Sequence, residues 1–259
     1  HGMDPITLGS TIGAAMELYE SGVLKPEQTG GLELGFGSAE ALVKLAEMTG
    51  KGEGFGKEIG LGSKRLCEKY GKPELSMSVK GQEFPAYDGR VIQGIGLNYA
   101  TSNRGACHVR GYTIKQEVLA IPEQVDPQAT EGKGELVKVY QDLTAAVDSS
   151  GLCLFTVFAW GLEDIAPQID AACGGGWTPD RLLETGERIW NLERRFNLAA
   201  GFTKADDTLP KRFLKDAART GPAEGKVCEL DKMLPDYYAA RGWDGDGVPT
   251  KETLDKLGV

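Results

Sequence analysis

The chain is poor in histidine, in paired cysteines and in basic charge, and each shortage removes a class of function. Two histidines, His1 and His108, occur in 259 residues. With cysteines this scattered they cannot build a zinc site, which takes four nitrogen or sulfur ligands at short spacing. Five cysteines stand at 67, 107, 153, 173 and 228 with no CxxC pair. Their odd number and wide spacing argue against a disulfide framework and suit a reducing, cytoplasmic compartment. Acidic residues number 38 against 29 basic ones, a net charge of −9. A field of that sign repels phosphate and no lysine–arginine run offsets it, so nucleic acid and anionic membrane are set aside as partners. No apolar run approaches the roughly 20 residues that span a bilayer. The longest, GLCLFTVFAWG at 151–161, reads as a buried segment. The opening, HGMDPITLGS, has neither an initiator methionine nor a signal-peptide core and reads as the start of a piece cut from a longer chain.

What is present is mostly helical pattern. A length of 259 residues, with charged residues at 26% and apolar residues at 41%, fits a folded protein of one large domain or two small ones with a sizeable core. Apolar positions recur at the helical period, and the 36 glycines fall largely between those stretches, at helix ends and turns. Ser10 or Thr11 is expected to cap a first helix running to about Tyr19. Ser38 opens a second that Gly50 closes, and a third is expected over 54–70. Residues 72–90 break the period. Met77, Val79 and Phe84 around Lys80-Gly81 suggest a short extended pair at a boundary between subdomains. Further helices are expected over 90–102, 135–147 and 160–173. The strongest signal follows, with Thr178 as N-cap, Pro179 at the first helical position, Asp180 in the first turn, and an apolar face reaching about Ala200. Helices from Pro210, over 229–241 and over 251–257 complete an all-α, multihelical reading in two helical subdomains, 1–77 and 78–259.

Three stretches invite chemistry. In DSSGLCLF, 148–155, Asp148 stands at a helix end where the dipole disfavours a carboxylate, so something else, such as a hydrogen-bond donor from a ligand, is expected to stabilise it there. Gly151 permits close backbone approach. Cys153 reads either as a thiolate ligand or as a small buried residue, and burial is the commoner state of a free cysteine. In TSNRGACHVRGY, 101–112, His108 is open between a structural and a chemical role; the haem-attachment spacing CxxCH is absent. WDGDGV, 243–248, imitates the start of a calcium loop, but Val248 and Pro249 fall where ligand and glycine belong, so a turn is expected. The glycine clusters at 30–37 and 50–62 have neither GxGxxG after a strand nor a GK[ST] ending. Asp206-Asp207 reads as a cap for the helix that follows.

Four segments together resemble the tungsten-containing aldehyde:ferredoxin oxidoreductase family. They are GMDPITLGSTIGAAMELYESG (2–22), GLNYATSNRGACHVRGY (96–112), DSSGLCLF (148–155) and ERIWNLERRFNLAAGFTKADDTLPKRF (187–213). DSSGLC fits the family's DxxGL(C/D) motif, and MDPIT resembles the tail of an earlier DxxGLD motif. Pro5 departs from the threonine or serine often found there, and NLAAG (197–201) departs from NxREG. The resemblance implies the C-terminal, multihelical part of a catalytic subunit. Its N-terminal cofactor-binding domain and CxxCxxxC run lie outside this sequence. It implies Cys153 as fourth ligand of a [4Fe–4S] cluster. Asp4, Asp148 and the Leu152 backbone would be hydrogen-bond partners of a tungsten bis-molybdopterin cofactor (tungstopterin). His108 would stand beside the metal, handling a proton as an aldehyde is oxidised to its acid. Electrons would pass to a ferredoxin or another electron-transfer subunit. With −9 on this portion, an acidic ferredoxin would dock elsewhere on the assembly. The same superfamily includes a benzoyl-CoA reductase catalytic subunit, the alternative activity. A helical interaction domain without catalysis is the alternative of another class.

Overall fold

The computed structural model describes all residues, 1–259. Twelve α-helices, three short 3-10 turns and one two-stranded hairpin make up the regular structure, in two compact units. The first unit is formed by residues 1–86 with 104–106 and 209–211, the second by 87–103, 107–208 and 212–259.

The first unit contains α1 (Pro5–Glu20), α2 (Ala39–Lys51), α3 (Gly56–Ile59), α4 (Ser63–Lys69) and an antiparallel hairpin, β1 (Ser78–Val79) with β2 (Gln82–Glu83). The first helix begins earlier than its hydroxyl residues suggested. Asp4, not Ser10 or Thr11, is its N-cap, and Pro5 takes the first helical position. The helix expected over 54–70 is two short helices broken by a turn with Gly62 at φ +81°. Ile12, Ala15 and Leu18 of α1, Leu45 of α2, Ile59 of α3 and Leu66 of α4 close over one another with 2% exposure or less. α3 lies so near the end of α2 that a Cβ on Gly56 would fall 2.3 Å from the Met48 carbonyl carbon. Gly62 offers no side chain to cap α4, and a carboxylate from the hairpin does that work. Buried Glu83 accepts the Ser63 N–H at 2.7 Å and the Thr11 hydroxyl at 3.4 Å.

The second unit contains α5 (Gln93–Thr101), α6 (Ile114–Glu117), α7 (Lys133–Ser149), α8 (Leu162–Cys173), α9 (Pro179–Ala199), α10 (Lys211–Lys215, whose first residue belongs to the first unit), α11 (Leu230–Ala240) and α12 (Lys251–Leu257). α7 and α9 cross closely at Gly186, where an added Cβ would stand 1.9 Å from the Asp142 carbonyl oxygen. α11 approaches α7 at Gly134 in the same way, 2.6 Å from the Tyr237 nitrogen. The contact layer is polar as well as apolar. Arg241, 1% exposed, bonds Asp142, Gln141 and the Tyr237 hydroxyl, which also accepts the Trp190 indole N–H at 3.1 Å. Arg194, fully buried, pairs with Asp207 at 2.7 Å, so Asp207 is a buried ion partner rather than a cap of α10, while Asp206 completes a capping box with Thr203. WDGDGV is a turn. The Asp244 carboxylate accepts the N–H groups of Asp246 and Val248, both at 2.9 Å.

At the start of α9, Thr178 Oγ1 accepts the Arg181 N–H at 3.2 Å, with Pro179 at the first helical position. Thr178→Ala is expected to destabilise the chain by about 1 kcal/mol, the usual worth of such a cap. For a unit of this size that is a fall in melting temperature of about 2–4 °C, measurable by calorimetry.

Candidate functional site: the α7 end and the His108 loop

α7 carries Asp148 in its last turn. Ser150 is its C-cap, and Gly151 at φ +79° turns the chain away. No atom lies within 4 Å of where a Gly151 Cβ would be, so its backbone angle, not close approach, calls for glycine there. Cys153 then stands in extended conformation at the head of a 3-10 turn, Leu154–Phe158. Its carbonyl accepts the Thr156 N–H at 3.0 Å and the Thr156 hydroxyl at 2.8 Å. Its thiol is free and exposed. This overturns the buried alternative for Cys153 and the reading of 151–161 as a buried segment. Of the apolar side chains there, only Val157 is deeply buried, at 2%, while Phe155 is 72% and Trp160 38% exposed. Leu152 is half-buried, packs against the small cluster of Val147, Val157, Ile165 and Leu182, and has its N–H 3.4 Å from Ser150 Oγ. A hollow of about 470 Å³ opens beside it, lined by Ser150, Ile169, Cys173 and Trp177 among others.

The loop of His108 is pinned to the helices beneath it. Asn98 of α5 donates to the Cys107 carbonyl at 2.9 Å and accepts from Gln141 of α7 at 2.9 Å. Gly111, at φ +115°, leaves no room for a side chain, because its Cβ would lie 2.1 Å from the Asn98 amide oxygen. His108 is half-buried, with ring centroids of Tyr87 and Tyr112 at 5.6 and 6.0 Å. The two phenols share a hydrogen bond of 2.6 Å. Burial first, and then that bond, push the Tyr112 phenol above its ordinary pKa, which keeps it protonated.

Contacts from this loop reach the 148–158 stretch. The Arg110 Nε stands 3.9 Å from an Asp148 oxygen; its guanidinium bonds Glu193 at 2.6 Å and lies over Trp190 at 5.2 Å. Tyr112 meets Phe158 edge to face at 5.7 Å, and Lys115 donates to the Val157 carbonyl. His108, Asp148, Leu152 and Cys153 therefore lie on two stretches of the second unit that touch. Asp4 belongs to the first unit, where one of its oxygens accepts the Thr7 N–H at 2.7 Å as helix cap. Arg110, Tyr87, Tyr112 and Lys115 escaped sequence reasoning. Arg110 had a visible signal: a cation two residues after the histidine, when Asp148 needed a partner.

As a metal site the chain is incomplete by itself: no cluster of three or more histidine, cysteine or acidic side chains is poised to hold an ion. The donors do fit a shared centre. One exposed thiol can supply one of the four thiolates of a cubane. One carboxylate with a cation behind it suits a partner rich in N–H donors. No helix is long and apolar enough to cross a membrane.

The architecture is that of an all-α, multihelical protein. The chain belongs to the aldehyde ferredoxin oxidoreductase family, whose model for domains 2 and 3 matches residues 1–259. It is 48% identical over 261 residues to the tungsten-containing aldehyde ferredoxin oxidoreductase of Pyrococcus furiosus and 46% identical over 264 residues to that of Pyrococcus horikoshii. All of this chain is covered in both matches, but only 43% and 44% of those relatives. Among solved structures it is similar to the active site complex BamBC of benzoyl coenzyme A reductase in complex with 1,5-dienoyl-CoA. The TM-score is 0.76 at 20% identity, over 99% of this chain and 44% of that one.

Proposed function

We propose that the chain is the C-terminal helical portion of an oxidoreductase that uses a tungsten bis-molybdopterin cofactor and a [4Fe–4S] cluster to oxidise aldehydes to carboxylic acids. The observation that carries this reading is the exposed Cys153 thiol on a stretch that touches the His108 loop, in a chain 48% identical to a tungsten enzyme of that name. Cys153 completes the cubane, whose other three thiolates come from the N-terminal part of the same subunit. Asp148 and the Leu152 backbone hydrogen-bond one pterin of the tungsten cofactor, and Asp4 is a further pterin contact. Oxidation of RCHO with water to RCOOH releases two electrons and two protons. The tungsten–pterin group supplies the redox chemistry, and His108 binds the aldehyde oxygen and takes up a proton. The Tyr87–Tyr112 pair keeps that imidazole oriented. A ferredoxin or partner subunit receives the electrons, in a compartment reducing enough to keep five cysteines free.

Removing charge at the pterin contact tests this. In the intact subunit, Asp148→Asn is expected to lower bound pterin and tungsten about tenfold, the usual cost of losing such a supporting contact, with iron retained. Unchanged tungsten and pterin would refute the role of Asp148, and neither metal nor pterin in anaerobically prepared wild-type subunit would refute the function. The shared fold with a benzoyl-CoA reductase complex keeps a second reading, reduction of an aromatic thioester. Activity with benzoyl-CoA and a strong reductant, and none with an aldehyde and a viologen dye, would establish it instead.

A further inference from the structure

The Cys153 turn is exposed on its outer side, yet its inner side is fixed at consecutive points. The Val157 side chain is buried among Val147, Ile165 and Leu182. The Phe158 ring meets the edge of Tyr112. Between them, the Val157 carbonyl, at the end of a 3-10 turn where carbonyls run out of internal donors, accepts a hydrogen bond from the Lys115 ammonium. Lys115 sits on α6, one short helix beyond His108, and is half-buried. It makes no ion pair. Burial alone pulls its pKa down, so a costly charge is kept on this carbonyl with no carboxylate to offset it. General stability is a poor reason for such an arrangement, since a neutral side chain would cover the same surface at lower cost.

We infer that Lys115 is a positioning residue: it holds the 3-10 turn of Cys153 in register with the His108 loop, and thereby fixes where the cluster ligand stands relative to the proton-handling imidazole. The chain of contacts is continuous. Thr156 fixes the Cys153 carbonyl through its N–H and hydroxyl, the Trp160 N–H returns to the Thr156 carbonyl at 2.8 Å, and Lys115 anchors the next carbonyl along. A charge-assisted bond is about twice as strong as a neutral one, so its loss loosens the turn more than loss of an ordinary contact. Removing the ammonium also removes positive charge from the turn that carries the ligand. This disfavours the more negative, reduced cluster and lowers its potential.

The inference rests on Cys153 being a cluster ligand, and the experiment separates the two. In intact, anaerobically prepared subunit, Lys115→Met is expected to release iron to a chelator about tenfold faster, as loss of a hydrogen bond from a charged group predicts. It should also shift the midpoint potential of the reduced-cluster resonance downward. Lys115→Arg keeps charge and donor and should restore both; Lys115→Gln, a milder change if the methionine variant folds poorly, should show the potential shift. Wild-type release rate and potential in Lys115→Met and Lys115→Gln overturn the inference. So does a lowered melting temperature with both readouts unmoved, which marks a merely structural lysine. If Cys153→Ser retains its iron, the cluster-ligand reading itself has failed.

Discussion

Cys153→Ser in the intact subunit is expected to abolish the cubane cluster while leaving the protein folded. The wild-type subunit should bind about four irons, and the variant should lose them together with the reduced-cluster resonance. The expectation is sharp because Cys153 contributes nothing else visible. Its thiol is exposed and free, and its fold contacts are made by backbone atoms that serine also has. An exposed, nearly isosteric change usually alters stability by no more than about 0.5 kcal/mol, so iron loss cannot be assigned to unfolding if the melting temperature holds. Cys173→Ser is the internal control. Cys173 is also free and exposed, at the last position of α8, but it is tied to neither Asp148 nor His108. It should keep full iron. Equal iron in wild type and Cys153→Ser would leave a helical domain without a cluster role, the reading that treats 148–155 as structure alone.

Where local chemistry decides structure, the sequence was readable. Thr178-Pro179-Asp180 states the start of α9 within its own three residues, and α12 is bounded by Thr250 and Gly258, whose roles are equally local. Where two local signals compete, it misled. Asp4-Pro5 is a helix start, but attention to the hydroxyls of Ser10 and Thr11 moved the expected beginning of α1 downstream. The long-range features were not legible at all. Arg194 and Lys133 on helices and Arg241 at the C-cap of α11 are charged residues, which predicts exposure, yet each is at most 1% exposed. Their partners Asp207, Asp142 and Glu117 come from other elements, and only the fold brings them near. The converse error was made over 151–161. Apolar composition predicts a buried segment, but Phe155 and Trp160 face outward and only Val157 is deeply buried.

The site followed the same division. The DxxGLC pattern compresses a carboxylate, a glycine with a positive φ and a thiol into one short stretch, and that stretch could be recognised. What orients it could not. Arg110 and Lys115 contact Asp148 and the Val157 carbonyl, residues far away in sequence. Tyr87, which precedes α5 in the chain, reaches the His108 ring that follows it. The wall around the imidazole is thus a product of packing, and it bears on how the histidine should be tested.

His108→Phe is the variant that separates proton handling from packing. Tyr87 and Tyr112 hold the His108 ring with centroids at 5.6 and 6.0 Å, a nest that a phenyl ring can occupy with similar edge and face contacts. His108→Ala would leave a gap there and confuse lost chemistry with collapse of the loop, whereas phenylalanine keeps an aromatic ring in place and removes the nitrogen atoms. The Asn98 bond to the Cys107 carbonyl and the Arg110 pair with Glu193 hold the loop on either side of the ring and survive the change. Tungsten, pterin and iron contents are therefore expected to match wild type. Aldehyde oxidation should fall by about 10²–10⁴-fold in kcat, the usual contribution of a positioned general acid–base. The loss should be seen in kcat and kcat/KM together, because a group that engages the developing charge stabilises the transition state more than the bound aldehyde. Full turnover in His108→Phe with an intact cofactor complement would reassign the proton to another group. The hydrogen-bonded Tyr87–Tyr112 pair would then be the first place to look, with Tyr112→Phe as the variant that decides it.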